Sequence, residues 1–149
     1  MRPLEPRDVA ACERILRSLP EWFAFEEAVA RYMRDLESLP GFVAVDGDEV
    51  IGFLALRHHN PLSSEVHVMA VRRECHRRGV GAALMRTAEE ALAGKVRLLH
   101  VKTLGPSHHD EGYKRTRAFY AAMGFVPLEE TTAYWGESQP TLVMVKPLP

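Results

Sequence analysis

Cysteine is scarce. Cys12 and Cys75 are the only two in 149 residues, too few for a disulfide framework or a four-thiolate metal centre, and that usage suits a reducing compartment. No apolar run approaches the roughly 18 residues that a membrane span needs. The opening stretch MRPLEPRD is charged and proline-broken where a secretory signal would carry an apolar core, so a cytoplasmic chain is expected, with no membrane partner. An excess of one charge is missing too: 19 Lys and Arg against 20 Asp and Glu leave a formal net charge of −1. That balance argues against broad non-specific binding to nucleic acid and disfavours a nucleic-acid-binding module, although the basic run 72–78 is a local exception. Repeats, low-complexity tracts and linker-like stretches are also absent, so residues 1–149 are expected to fold as one domain. A chain of this length buries roughly 68–70% of its unfolded surface, enough for a core without staples.

What is there reads as a succession of helices and strands. Asp8 is placed to cap a helix with Val9, Cys12, Ile15, Leu16 and Leu19 on one face, stopped by Pro20. Phe25, Val29, Tyr32, Met33 and Leu36 mark a second helix ending at Pro40-Gly41. GFVAVDGDEVIGFLAL is a strand, a tight Asp46-Gly47-Asp48 turn and a second strand. A strand at about 64–71, a glycine turn, a helix at about 79–93 and a strand at about 96–103 form a βαβ unit. A helix near 112–122 ends at Gly124, and GFVPLEETTAYW and TLVMVK supply two last strands. The expected class is α+β with a mixed sheet.

The glycine turn carries the first chemical signal. The helix after it has Val80, Ala83, Leu84, Thr87, Ala88, Ala91 and Leu92 on one stripe, so its side packs on a sheet and its N-terminus is free. The first amides of a helix lack internal acceptors and sit at the positive end of its dipole, and glycines let a ligand approach them. An anion, phosphate above all, fits there, and Arg72, Arg73, Arg77 and Arg78 strengthen the expectation. A P-loop would need lysine and a hydroxyl residue after Gly81, where Ala82-Ala83 stand. A dinucleotide fingerprint would need a third glycine in place of Leu84, and an acid among residues 97–104. Both are excluded.

The stretch VMAVRRECHRRGVGAALM resembles the coenzyme A motif of the GNAT superfamily of N-acetyltransferases, in which Gln/Arg-x-x-Gly-x-Gly/Ala follows a hydrophobic strand. His76-Arg77-Arg78-Gly79-Val80-Gly81 takes those places, with His76 replacing the commoner Gln or Arg. AFYAAMGF resembles the second signature, an aromatic pair on a helix followed by Gly-Phe opening a strand, and the order of elements matches along nearly the whole chain. The resemblance implies a GNAT fold, a central mixed but mostly antiparallel twisted sheet flanked by helices, with acetyl-coenzyme A as co-substrate between splayed parallel strands. It implies pantetheine along Met69, Ala70 and Val71, and pyrophosphate on the loop of His76, Arg77, Arg78, Gly79, Val80, Gly81 and Ala82. Tyr113 stands on the coenzyme side, where many members have Asn.

Acetyl transfer to an amine requires a proton acceptor, oxyanion stabilisation and a proton for the departing thiolate. Glu65 begins the strand EVHVMAV, and alternation puts Glu65, His67, Met69 and Val71 on one face. Some members of the family have a glutamate six residues before the last strand valine or isoleucine as general base, which maps to Glu65; the bland reading is a solvated strand-end charge. His67 is the alternative base or a relay, or else a half-buried histidine with a satisfied ring. In the family a tyrosine at the place of Tyr120 protonates the thiolate, against the alternative of a core residue whose hydroxyl meets a carbonyl. His108-His109-Asp110 and His58-His59 have no metal-ligand spacing and read as solvated loops, so no metal is assigned.

The resemblance puts the acceptor against LPEWFAFEE and YWGESQP, with Trp22, Phe23 and Trp135 as a wall and Glu21, Glu26 and Glu137 as cation attractors, or else core aromatics and solvated acids. The expected partners are therefore acetyl-coenzyme A and an amine acceptor, with antibiotic, polyamine, amino acid and protein N-terminus all open and a homodimer among the assemblies. The rival from another class is a non-catalytic acyl-coenzyme A-binding regulatory domain. Cys75 has no pattern that would set it against a thioester.

Overall fold

A computed structural model describes residues 1–149. The fold is α+β, with one seven-stranded mixed sheet of order β1-β2-β3-β4-β5-β7-β6. The strands are β1 (Arg2–Pro3), β2 (Gly41–Asp46), β3 (Glu49–Asn60), β4 (Ser63–Val71), β5 (Leu98–Leu104), β6 (Val126–Thr131) and β7 (Thr141–Pro147). The helices are α1 (Val9–Arg17), α2 (Glu26–Leu36), α3 (Val80–Leu92) and α4 (Glu111–Ala122). The chain divides into two compact units, the first of Met1–Arg57 with His67–Leu92 and the second of His58–Val66 with Ala93–Pro149.

In the first unit β2 and β3 pair antiparallel from Gly41↔Ala55 to Asp46↔Glu49, around the turn where Gly47 takes φ 63°. Cys12, Ile15 and Leu16 of α1 and Val29, Met33 and Leu36 of α2 pack into one buried cluster with Val43, Phe53, Val68 and Ala70 from the strands. Their spacing at three and four residues gives each helix a single apolar face, which is why both lie on the sheet rather than free of it. Helix α3 buries Leu84, Met85, Ala88 and Leu92. Met85 is an addition to the expected stripe, while Val80, Ala83, Thr87 and Ala91 are only half-buried.

Asp8 departs from expectation. A 3-10 turn over Pro6–Asp8 precedes α1 and no side-chain cap bond reaches the helix. The buried Asp8 carboxylate instead takes two guanidinium bonds from Arg2, both 2.8 Å, and the Glu5 amide at 2.9 Å. A bidentate pair outcompetes a single helix amide for the same oxygens.

In the second unit β4 and β5 run parallel from Ser63↔Leu98 to Val66↔Val101, as the βαβ pattern requires. Strand β7 pairs antiparallel with β5 over its whole length, from Leu98↔Pro147 to Leu104↔Thr141, and β6 pairs antiparallel with β7 at the sheet edge. The tip of the β3–β4 hairpin is closed by Asn60, whose Oδ1 accepts the amides of Leu62 at 2.8 Å and Ser63 at 3.1 Å. His58 and His59 therefore lie on a strand, not in the solvated loop that Asn60-Pro61 suggested.

Candidate active site

The turn after β4, all of it in the first unit, is assembled by local backbone bonds. A 3-10 turn over Arg73–Cys75 follows Val71, with Cys75 N bonding Arg72 O at 2.8 Å and His76 N bonding Arg73 O at 3.1 Å. His76 donates from Nε2 to the Val71 carbonyl at 2.7 Å and meets Trp22 edge-on at 5.9 Å. Its side chain is thus a strut that ties the loop back to the strand. Arg77 (φ 62°) and Gly79 (φ 77°) both adopt left-handed backbone, which for an arginine costs about 1–2 kcal/mol. The two reversals turn the chain into α3, whose first internal bond is Ala83 N to Gly79 O at 3.0 Å. The amides of Val80, Gly81 and Ala82 consequently have no acceptor within the helix. Arg77, Arg78 and Gly79 are exposed, so that end of the helix is reachable from solvent.

The arginines divide into two pairs. Arg72 is held by Glu49 and Glu74 at 2.8 and 2.7 Å, and Arg73 by Glu21 at 2.5 Å. These two shape the loop through ion pairs instead of offering free guanidinium groups to an anion. Arg78 turns toward Cys75 Sγ at 4.0 Å, leaving Arg77 and Arg78 as the arginines of the run without a carboxylate partner.

In the second unit Glu65 is 5% exposed, which overturns the picture of a solvated strand-end charge. His59 Nε2 lies 2.6 Å from Glu65 Oε1, His100 Nε2 3.7 Å from the same oxygen, and Lys102 Nζ 3.5 Å from Oε2. Glu65 and His100 are direct partners in the parallel ladder. Lys102 is steadied by the Tyr134 ring, 4.3 Å from its centroid. Burial alone would push the Glu65 carboxyl up; the His59 hydrogen bond and the Lys102 and His100 charges outweigh it and hold the group below the usual carboxylate value. Burial lowers the His100 value in turn, so near neutrality that ring is uncharged and the His59 bond and Lys102 keep Glu65 ionised. None of His59, His100 and Lys102 is marked by a linear motif. The available signal was alternation, which sets His100 and Lys102 two apart on one face of β5.

His67 belongs to the first unit, with a different partner. Its Nε2 lies 2.8 Å from Asp35 Oδ2 on α2, its ring meets Tyr32 edge-on at 5.4 Å, and Arg57 reaches the same Asp35 oxygen at 3.3 Å. Thirty-two residues separate His67 from Asp35, beyond any local pattern.

Tyr120 is 6% exposed in the second unit, its ring edge-on to Phe119 at 5.5 Å and to Phe125 at 5.6 Å. Phe119 is only half-buried, as the 100° divergence of helix neighbours requires. At the start of α4, Asp110 Oδ1 accepts the Tyr113 amide at 3.0 Å, a genuine side-chain cap. His108, expected to be solvated, is half-buried, with Nδ1 lacking a hydrogen-bond partner. In the first unit Glu21 and Glu26 are drawn off by Arg73 and Arg17, which weakens them as attractors of a cation. Trp22 and Phe23 pack on the core, while Trp135 is 39% exposed. Burial pushes the Cys12 thiol up to about 12, so it carries no thiolate near neutrality.

Residues 38–127 match the family model of the acetyltransferase (GNAT) domain. No curated protein matches the chain significantly. Among solved structures, an acetyltransferase from Thermus thermophilus shares 25% identity at a TM-score of 0.72, covering 99% of this chain and 95% of its own. An aminoglycoside 6′-N-acetyltransferase complexed with coenzyme A gives 17% and 0.78, covering 100% and 98%. A ribosomal-protein-alanine N-acetyltransferase from Brucella melitensis gives 22% and 0.72, covering 99% and 98%.

Proposed function

Because this chain belongs to the GNAT family of acetyltransferases, we propose that residues 1–149 act as one catalytic domain that moves the acetyl group of acetyl-coenzyme A to a primary amine. The transfer is a direct attack within a ternary complex. The observation that carries it is the turn at 72–82: two left-handed residues, Arg77 and Gly79, expose the unpaired amides of Val80, Gly81 and Ala82 at the positive end of α3. Those amides suit a pyrophosphate, and the strand before them, Met69-Ala70-Val71, suits the pantetheine arm. The solved relative complexed with coenzyme A supports that choice of ligand. His76 and Arg78 then support the loop.

Glu65 takes the amine proton, directly or through a water, because its carboxylate is ionised and one oxygen faces no more than a lysine at 3.5 Å. The neutral amine attacks the thioester carbonyl, a tetrahedral oxyanion forms, and the C–S bond breaks on its collapse. Tyr120 gives its phenolic proton to the departing thiolate, and the second nitrogen proton, shed as the amide forms, restores the phenol, so that the products are a neutral amide and free coenzyme A. His67, already committed to Asp35, helps to fix α2 against β4 rather than serving as the base. The acceptor is sought among antibiotic amines, polyamines, amino acids and peptide N-termini. Free-thiol release from acetyl-coenzyme A across such a panel tests the proposal: acceptor-dependent thiol release sustains it, and none from any amine despite coenzyme binding contradicts it.

A further inference from the structure

The geometry points to a divalent-metal site in the second unit, with Glu65 Oε1, His59 Nε2 and His100 Nε2 as ligands and Zn²⁺ as the cation that suits them. The three ligand atoms lie within 4.8 Å of one another. Zinc bound at about 2.0–2.1 Å in a tetrahedron holds its ligands roughly 3.4 Å apart. The present separations from Oε1, 2.6 Å to His59 and 3.7 Å to His100, bracket that value, so small rotations of side chains suffice. The ligands stand on β3, β4 and β5, and Glu65 and His100 are register partners, which fixes their spacing in advance.

Two features favour Zn²⁺ and a bound water as the fourth ligand. Two imidazoles and one carboxylate form a nitrogen-rich set, whereas Mg²⁺ and Ca²⁺ prefer oxygen alone. The His59 side chain is 38% exposed above a carboxylate that is 6% exposed, giving an entry path on one side and a dry anchor on the other. The two carboxylate oxygens divide the work, since both imidazoles address Oε1 while Lys102 addresses Oε2 at 3.5 Å. Lys102 is the opposing influence: its ammonium repels a second cation and weakens the site. Metal on Oε1 would block Glu65, so zinc would inhibit acetyl transfer; that consequence rests on Glu65 as the base, while the binding itself does not.

Calorimetric titration of ZnCl₂ into the whole chain, without acetyl donor or acceptor, is expected to give one site with a Kd on the order of 1–10 μM. MgCl₂ is expected to give no heat of binding. His59→Ala and His100→Ala should each weaken zinc by at least about 30-fold, and Lys102→Met, which removes the competing charge, should tighten it by about 10-fold. Thermal unfolding checks each variant, and if His100→Ala does not fold, His59→Ala and Lys102→Met decide. No saturable binding to the parent chain, or an unchanged Kd in His59→Ala, overturns the site. Because neither donor nor acceptor is present, such a failure leaves the acetyl-transfer proposal standing, and an inactive acceptor panel leaves the zinc site standing.

Discussion

One unbroken stretch, Arg72 to Ala82, builds the proposed phosphate cradle, whereas Glu65 on β4 draws its partners from two other strands: His59 from β3, His100 and Lys102 from β5. The first offers backbone amides and is tied down by side chains around it, His76 to Val71 O and Arg72 and Arg73 to Glu49 and Glu21. The second is made of side chains and held by sheet register. A backbone site tolerates changes of side chain but not of backbone conformation. A side-chain site tolerates neither loss of a charge nor a shift of register, and its chemistry can be altered while the fold remains.

Substitutions that strike one region and spare the other sharpen that contrast. Tyr120→Phe keeps the ring edge-on to Phe119 and Phe125 and removes the hydroxyl. It should slow single-turnover acetylation by roughly 10²–10⁴-fold with coenzyme affinity within about threefold of the parent; equal rates would make Tyr120 a core residue only. Gly79→Val does the reverse. Nothing stands within 4 Å of a Cβ added there, but φ is +77°, so a branched side chain both strains the turn and stands where the phosphate approaches. Coenzyme A should bind at least about tenfold more weakly by calorimetry, and unchanged affinity would remove the turn from the site. The smallest effect is assigned to His67→Gln: the introduced amide can still donate to Asp35, so the pH–rate profile should keep its shape and the rate change by less than about threefold. A lost acid limb in that variant would transfer the base to His67.

The same contrast explains what could be read from residues alone. The turn was legible because its glycines, its arginines and the strand before them are contiguous, and the hairpin at Asp46-Gly47 and the βαβ order were legible for the same reason. Glu65 was found by its distance from Val71, yet its burial was not, because that depends on β5 lying beside β4. His58 and His59 looked like a solvated loop before Asn60-Pro61; only the hairpin register sets them against Ser64 and Glu65, at 2.6 Å each. Charge clustering misled at Arg72 and Arg73, whose partners Glu49 and Glu21 come from distant segments. Asp8 misled differently: its position before a helix predicts a cap, but Arg2 offers it two bonds at once.

Glu65 as the ionised acceptor of the amine proton is tested most directly by the ratio of single-turnover rates for the parent and Glu65→Gln, measured across pH with one acceptor. Neighbouring groups hold the Glu65 carboxyl below its ordinary value, so the carboxylate is charged throughout the neutral and alkaline range. The same lowered value makes ionised Glu65 stabilising above its unfolded value, with that stability lost as pH falls through the folded one. Thermal unfolding at each pH therefore accompanies the rates. The ratio should be about 100 near pH 7, where an amine of pKa about 10 arrives protonated, and should shrink toward unity as pH passes that value. A ratio near unity at every pH would contradict Glu65 as the base.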